Sequence, residues 1–158
     1  VKLLKTLLVI TVILLVQTMV LNRFPVLKWI DLFLLMNIYF ALNSSQLASL
    51  GLSLSSGLVQ DSFSNGIIGM NAFSKTIVAY LVSTLSARLM IKHPIIIMLL
   101  IGIATSLDLL TIHGLRLLFG LKSLLSYQVL APAALVNSAG GLILFQIIER
   151  VRAKKEYA

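Results

Sequence analysis

The stretch QLASLGLSLSSGLVQD, residues 46–61, decides how the rest of the chain is read. Ser49, Ser53 and Gly57 recur every four residues, with Gly51, Ser55 and Ser56 beside them, so at helical pitch one face is nearly bare of bulk. In lipid, helices associate largely through close backbone approach and hydrogen bonds, and a stripe of this kind marks a helix packed against protein. The segment ends at Asp61. Asn65-Gly66 and Gly69 follow, a turn or partly re-entrant piece whose backbone needs protein or water around it. The next segment, residues 70–89, repeats the device with Ala72, Thr76, Ala79, Ser83 and Ala87 on one side. The two segments are therefore expected to form a tight hairpin.

Outward from the hairpin the chain is a series of apolar runs. Pro94 follows the polar Lys92 and His93, where a helix can begin without losing a hydrogen bond, and opens a span over 95–112 that Gly114 and Arg116 end. After an interfacial connection, a span over 127–148 carries Ala133, Ala134, Asn137, Ser138, Ala139, Gly140 and Gly141 in its middle. Its tail, 149–158, reads as aqueous. On the other side, residues 29–42 are aromatic at both ends, with Trp29 near the start and Tyr39 and Phe40 near the finish, as suits headgroup depth. That run is short, so it must be tilted, mismatched or extended through Asn43 to Ser45. Residues 3–21 complete the set. Their core is too long for a signal-peptide h-region and Met19, Val20 and Leu21 offer no small-x-small cleavage site, so they are expected to stay as a span.

Composition agrees. Of 158 residues 59% are hydrophobic and 11% charged, where a soluble domain carries about a quarter charged residues. The expected fold class is an all-α integral membrane protein, a six-helix transmembrane bundle forming a single membrane domain, with no room for an appended soluble catalytic domain. The absence of cysteine removes disulfides, thiolate nucleophiles and Cys-ligated metals. The net charge of +8 comes from cations dispersed between and beyond the apolar runs, which fits anionic headgroups and not nucleic acid. With the N-terminus inside, Lys2, Lys5, Arg88, Lys92, Arg150, Arg152, Lys154 and Lys155 face the cytoplasm against Arg23, Lys28, Arg116 and Lys122 outside. That asymmetry favours cytoplasmic termini.

Asp31, Asp61 and Asp108 are the acids inside or at the edge of the spans, where an ionisable group costs several kcal/mol unless paired or wet. The topology puts all three toward the outer ends of their helices, in one layer with Lys75 and Arg116. Three roles stay open. In the structural one Asp61 pairs with Lys75 and the others bind water or a neighbouring Arg; in the second the charges dock a partner protein; in the third they relay protons, although a relay needs acids spread through the membrane depth. Asn137 is expected to bond across helices and set register.

Catalysis finds little support. His93 and His113 fall on opposite expected faces of the membrane, and no His-Glu-x-x-His motif could hold a protease zinc. The serines at 53–56 lack a Gly-x-Ser-x-Gly elbow and an obvious base. Gly57, Gly66 and Gly69 match no phosphate-cradling spacing and read as turn and packing glycines. No catalytic residue, metal or cofactor is assigned.

The run Gly57-Leu58-Val59-Gln60-Asp61, then Asn65-Gly66, Gly69-Met70-Asn71-Ala72 and Tyr80-Leu81, resembles the central signature of the rod-shape-determining MreD family. Pro25 and Asp31-Leu32-Phe33-Leu34, with Tyr39 and Ala41-Leu42, resemble that family's second span. Ala131-Pro132-Ala133 with Asn137 and Phe145 resemble its sixth, followed by Arg150 and Arg152. The resemblance implies a non-enzymatic subunit of the bacterial inner membrane that binds MreC directly. Through the complex it would meet MreB filaments, a RodA-type glycosyltransferase and a class B penicillin-binding transpeptidase; a second copy of the chain is a further candidate partner. The family is also similar in fold to the substrate-binding S components of energy-coupling-factor vitamin transporters, which keeps a small-molecule binder as the alternative. Those proteins commonly carry an Ala-x-x-x-Ala face on the first span, and residues 3–21 contain neither Ala nor Gly.

Overall fold

Asp31 opens the first described helix, its backbone extended and its carboxylate accepting the N–H of Leu34, so that α1 (Leu32–Asn43) begins three residues after Trp29. The computed structural model describes residues 12–13, 16–17, 29–64, 67–89, 93–122 and 127–156. After α1 come α2 (Gln46–Phe63), α3 (Met70–Arg88), α4 (Pro94–Leu118) and α5 (Tyr127–Glu156). The span expected over 3–21 falls largely outside the described residues; Val12, Ile13, Val16 and Gln17 within it are helical.

The short second segment is explained by enclosure. Asp31 stops α1 at one end and the chain turns extended at Ser44 at the other, so the helix does not continue to Ser45. Twelve residues rise about 18 Å, well short of a hydrocarbon core of roughly 30 Å. Residues 33–38 are nevertheless all buried, because α2, α3, α4 and α5 all touch α1. Its middle is enclosed by protein, while Asn43 and Ser44 at its C-terminal end are exposed.

α2 and α3 form the most extensive helix pair, as the small-residue faces require. The Ser49, Ser53, Ser56 and Gly57 face of α2 is buried, and Ala72, Ala79 and Ser83 of α3 are buried too, whereas Ala87 is exposed. Gly57 is a point of close approach: a Cβ there would overlap the backbone Cα and N of Ala72. Only glycine permits that approach.

One helix boundary differs from that expected. α4 passes through Gly114 and Arg116 and ends at Leu118, since one internal glycine costs only about 1 kcal/mol and the Leu and Arg around it favour helix. The true stop is Gly120, at φ 68°. Its N–H reaches the Leu117 carbonyl at 3.0 Å and the N–H of Leu121 reaches that of Arg116 at 2.8 Å, a Schellman closure. The apolar stretch of α5, Gln128–Arg150, lies close to the expected 127–148, and the helix itself continues to Glu156 through a run free of Gly and Pro. Pro132 lies inside it, a placement common in membrane helices.

The distribution of polarity is inverted relative to a water-soluble protein. Asn37, Ser49, Ser53, Ser56, Asp61, Ser74, Lys75, Thr105, Asp108 and Asn137 are buried, while Leu47, Leu99, Ile103, Leu118 and Leu135 are exposed. Among the described residues α4 and the Gln128–Arg150 stretch of α5 are long and apolar enough to cross a membrane. Only 28% of each apolar stretch is buried inside the protein. Such outward apolar surface is stable in lipid and a liability in water.

Candidate functional site

Lys75 has no solvent exposure, and its ammonium is the centre of the site. It lies 2.9 Å from Asp31 Oδ2, 3.7 Å from Asp108 Oδ2 and 3.5 Å from Asn71 Oδ1. Antiparallel packing makes this possible. Asp31 stands at the start of α1, Lys75 lies just over one turn into α3, and Asp108 lies on α4 facing both. The layer of charge expected from the topology is therefore a contact cluster for these three residues.

Each carboxylate is further held. Asp31 caps α1 through Oδ1, and its Oδ2 also faces Gln60 Nε2 at 3.5 Å. Asp108 Oδ1 accepts the Ser74 hydroxyl at 2.7 Å, one residue before Lys75 on α3. Asn137 Oδ1, from the middle of α5, accepts the backbone N–H of Asp31 at 2.9 Å. Gln17 clamps the same turn, donating to the Ile30 carbonyl at 2.7 Å and accepting from Leu32 N–H at 2.9 Å. Gln17 and the helices α2, α3 and α5 thus converge on the first turn of α1, and α4 joins them through Lys75.

The expected pair between Asp61 and Lys75 is not formed. Asp61 is consumed by the start of α3: its oxygens accept the backbone N–H groups of Gly69, Asn71 and Ala72 at 2.9, 3.1 and 3.2 Å and the Asn71 side chain at 2.8 Å. A helix N-terminus presents unsatisfied N–H groups and a positive dipole end, so a carboxylate there is stabilised without a cation. The spacing of Gly57 and Asp61 is the reason. They lie one turn apart on the same face of α2, so the glycine that lets α3 approach also delivers the carboxylate to its first turn. Gly69 completes the cap in the left-handed region, φ 101°, where a side chain would be strained. Gly66 lies outside the described residues. Asn71 then bridges the two clusters, donating to Asp61 and accepting from Lys75.

Gln17, Asn37 and Ser74 of this arrangement were not singled out from sequence, and Gln60 and Asn71 entered only as members of the signature runs, with no site role assigned. Gln17 carried a signal, as the one amide in 3–21, and Asn71 another, one helical turn before Lys75. Asn37 lies deeper, accepting the Ser56 hydroxyl at 3.1 Å between α1 and α2. His93 does not join the cluster. His93 stands at the N-cap of α4, its Nδ1 facing the N–H of Ile95 at 3.4 Å. Among the described residues no group of three His, Asp or Glu side chains is placed to hold a metal ion.

Beside the cluster is a cavity of about 220 Å³, walled by Asp31, Gln60, Asp108 and Asn137 together with Trp29, Thr105 and apolar side chains of α1, α4 and α5. A second, almost wholly apolar cavity of about 320 Å³ lies toward the other end of α1, between Met36, Tyr39, Phe40 and Phe145.

The order of pieces decides the family. The model of the rod shape-determining protein MreD matches residues 2–152, nearly the whole chain. The chain belongs to the MreD family. It is accordingly a membrane protein with a role in rod shape determination, from a family of structural, shape-determining components. The resemblance drawn from Gly57 to Asp61 and from Gly69 to Ala72 acquires a physical meaning here, since those residues are the close approach and the cap that build the α2–α3 hairpin. Neither a curated protein nor a solved structure matches the chain.

Proposed function

We propose that this MreD-family chain is a non-enzymatic scaffold of the bacterial elongation complex, seated in the inner membrane with both termini cytoplasmic. In this reading it binds MreC directly and, through the complex, links MreB filaments to a RodA-type glycosyltransferase and a class B penicillin-binding transpeptidase. The observation that carries the reading is how the intramembrane charges are used. Asp61 caps a helix, Asp31 caps another, and Lys75 is locked between Asp31 and Asp108, so the groups that could do chemistry hold helices in register. The apolar outer faces of α4 and α5 remain for lipid and for partner helices.

Two experiments test it. Gly57→Leu and Ala79→Leu, which drive bulk into the hairpin, should lower copurification with MreC and round the cells; His93→Ala, His113→Ala and Ser55→Ala should leave cell shape nearly normal. Loss of rod shape in one of those alanine variants, with insertion and MreC binding intact, would overturn the non-enzymatic reading. Copurification from native membranes should recover MreC and a penicillin-binding transpeptidase. Recovery of ATPases with a coupling subunit in their place would move the chain to the transporter class.

A further inference from the structure

The cavity of about 220 Å³ beside the charge cluster has an unbalanced wall. Asp31 and Asp108 both line it, but Lys75 does not: the ammonium lies behind them, buried, with its neighbours Asp31, Asp108 and Asn71 already in place. Two carboxyl groups thus share one cation, and the side they turn to the cavity faces no basic residue among the described lining. Gln60 adds to the imbalance. Its amide nitrogen points at Asp31, while its carbonyl oxygen, though buried, has no hydrogen-bond partner. A buried acceptor without a donor is a standing cost, which a ligand bearing N–H groups removes.

The remaining wall defines the ligand further. Trp29 supplies an aromatic surface of the kind that attracts cations. Ile30, Leu34, Leu109, Val129 and Ala133 supply an apolar part suited to a short alkyl portion, and Gln17, Thr105 and Asn137 complete the wall with polar groups. A divalent metal fits poorly, because only two carboxylates are present and both are engaged by Lys75 and by Ser74 or Leu34. An anion would meet acids. We propose that this cavity binds an organic cation with N–H donors, an alkylammonium group, whose nitrogen sits among Asp31, Asp108 and the Gln60 carbonyl. The site is independent of the scaffold reading above, and either can fail alone. The same ammonium chemistry can come from a free amine or from a phosphatidylethanolamine headgroup.

The test uses the full chain in phosphatidylcholine nanodiscs, with thermal unfolding followed at matched ionic strength. Ethylammonium chloride, at a hundredfold excess over its Kd, should raise Tm by roughly 5 °C. Tetramethylammonium, with the same charge and no N–H, should not. Gln60→Leu should abolish the ethylammonium shift; where that variant folds poorly, Thr105→Val, which removes from the same wall a hydroxyl that donates to the Ile101 carbonyl and keeps its oxygen as an acceptor for a further ammonium N–H, should weaken binding at least threefold. Nanodiscs containing phosphatidylethanolamine separate the sources: a raised Tm that ethylammonium no longer increases assigns the site to the headgroup, and an unchanged response assigns it to a free amine. No shift with ethylammonium, or equal shifts with both cations that persist in Gln60→Leu and Thr105→Val, would overturn the proposal.

Discussion

At its first turn α1 is tied by Asp31 to Lys75 and Gln60, by its backbone to Asn137, and by Ile30 and Leu32 to Gln17. At its last turns the same helix has one long polar tie to another helix, from the Ser86 hydroxyl to the Leu42 carbonyl at 3.5 Å, and otherwise packs through apolar groups, with Tyr39 edge-on to Phe145 at 5.3 Å and an apolar cavity beside them. The polar end is directional, since each bond names one partner atom. The apolar end is not, and in a bilayer it gains little over contact with lipid tails, because the tails are as apolar as the side chains they replace. Uniqueness of the fold should therefore reside at the polar end and tolerance at the other.

The largest effect should come from Lys75→Met, which leaves the buried Asp108 and the partly buried Asp31 without their cation. Breaking a buried pair in this way costs roughly 3 to 5 kcal/mol, read as resistance to unfolding in mixed micelles or as the inserted fraction. Adding Asp108→Asn should recover much of that loss, whereas adding Asp61→Asn should recover none, because Asp61 serves the α3 cap. Equal rescue by the two would erase the distinction between cluster and cap.

Next in size is the hairpin seam. Gly57→Ala should cost about 1 to 3 kcal/mol through overpacking. Ala72→Gly should not relieve it, since the atoms a Cβ would strike are the backbone Cα and N of residue 72. Gly51→Ala, where a Cβ meets nothing within 4 Å, should be neutral or slightly stabilising in the same assay. A smaller loss, about 0.5 to 2 kcal/mol, is expected for Asp61→Ala, the usual range for a removed cap. Asp61→Asn should fall between it and the parent.

The smallest effect belongs to the apolar end. Phe145→Leu, a near-conservative change in volume, should cost less than about 1.5 kcal/mol by the same unfolding measurement. A loss as large as that of Lys75→Met would reverse the comparison, making the Tyr39–Phe145 contact the specifying one.

What the linear sequence determined by itself is everything that depends on period and solvent. A four-residue recurrence of Ser and Gly names a packed helix face; a 59% hydrophobic chain with dispersed cations names lipid as the medium. Antiparallel alternation then puts Asp31, Lys75 and Asp108 in one layer. Those are properties of spacing along one chain, and they survive any detail of packing. Partner choice within the layer was decided only by the tertiary structure. Asp61 and Asp31 are both acids near Lys75 in the topology, but the absent side chain of Gly57 draws α3 against α2 and turns Asp61 into its cap, leaving the ammonium to Asp31 and Asp108. The length of α4 was settled in the same way, by a left-handed Gly120 and not by the Gly114 that spacing suggested. In each case two residues of the same type were available at similar depth, and the choice fell to which backbone groups were left without a partner once the helices had closed.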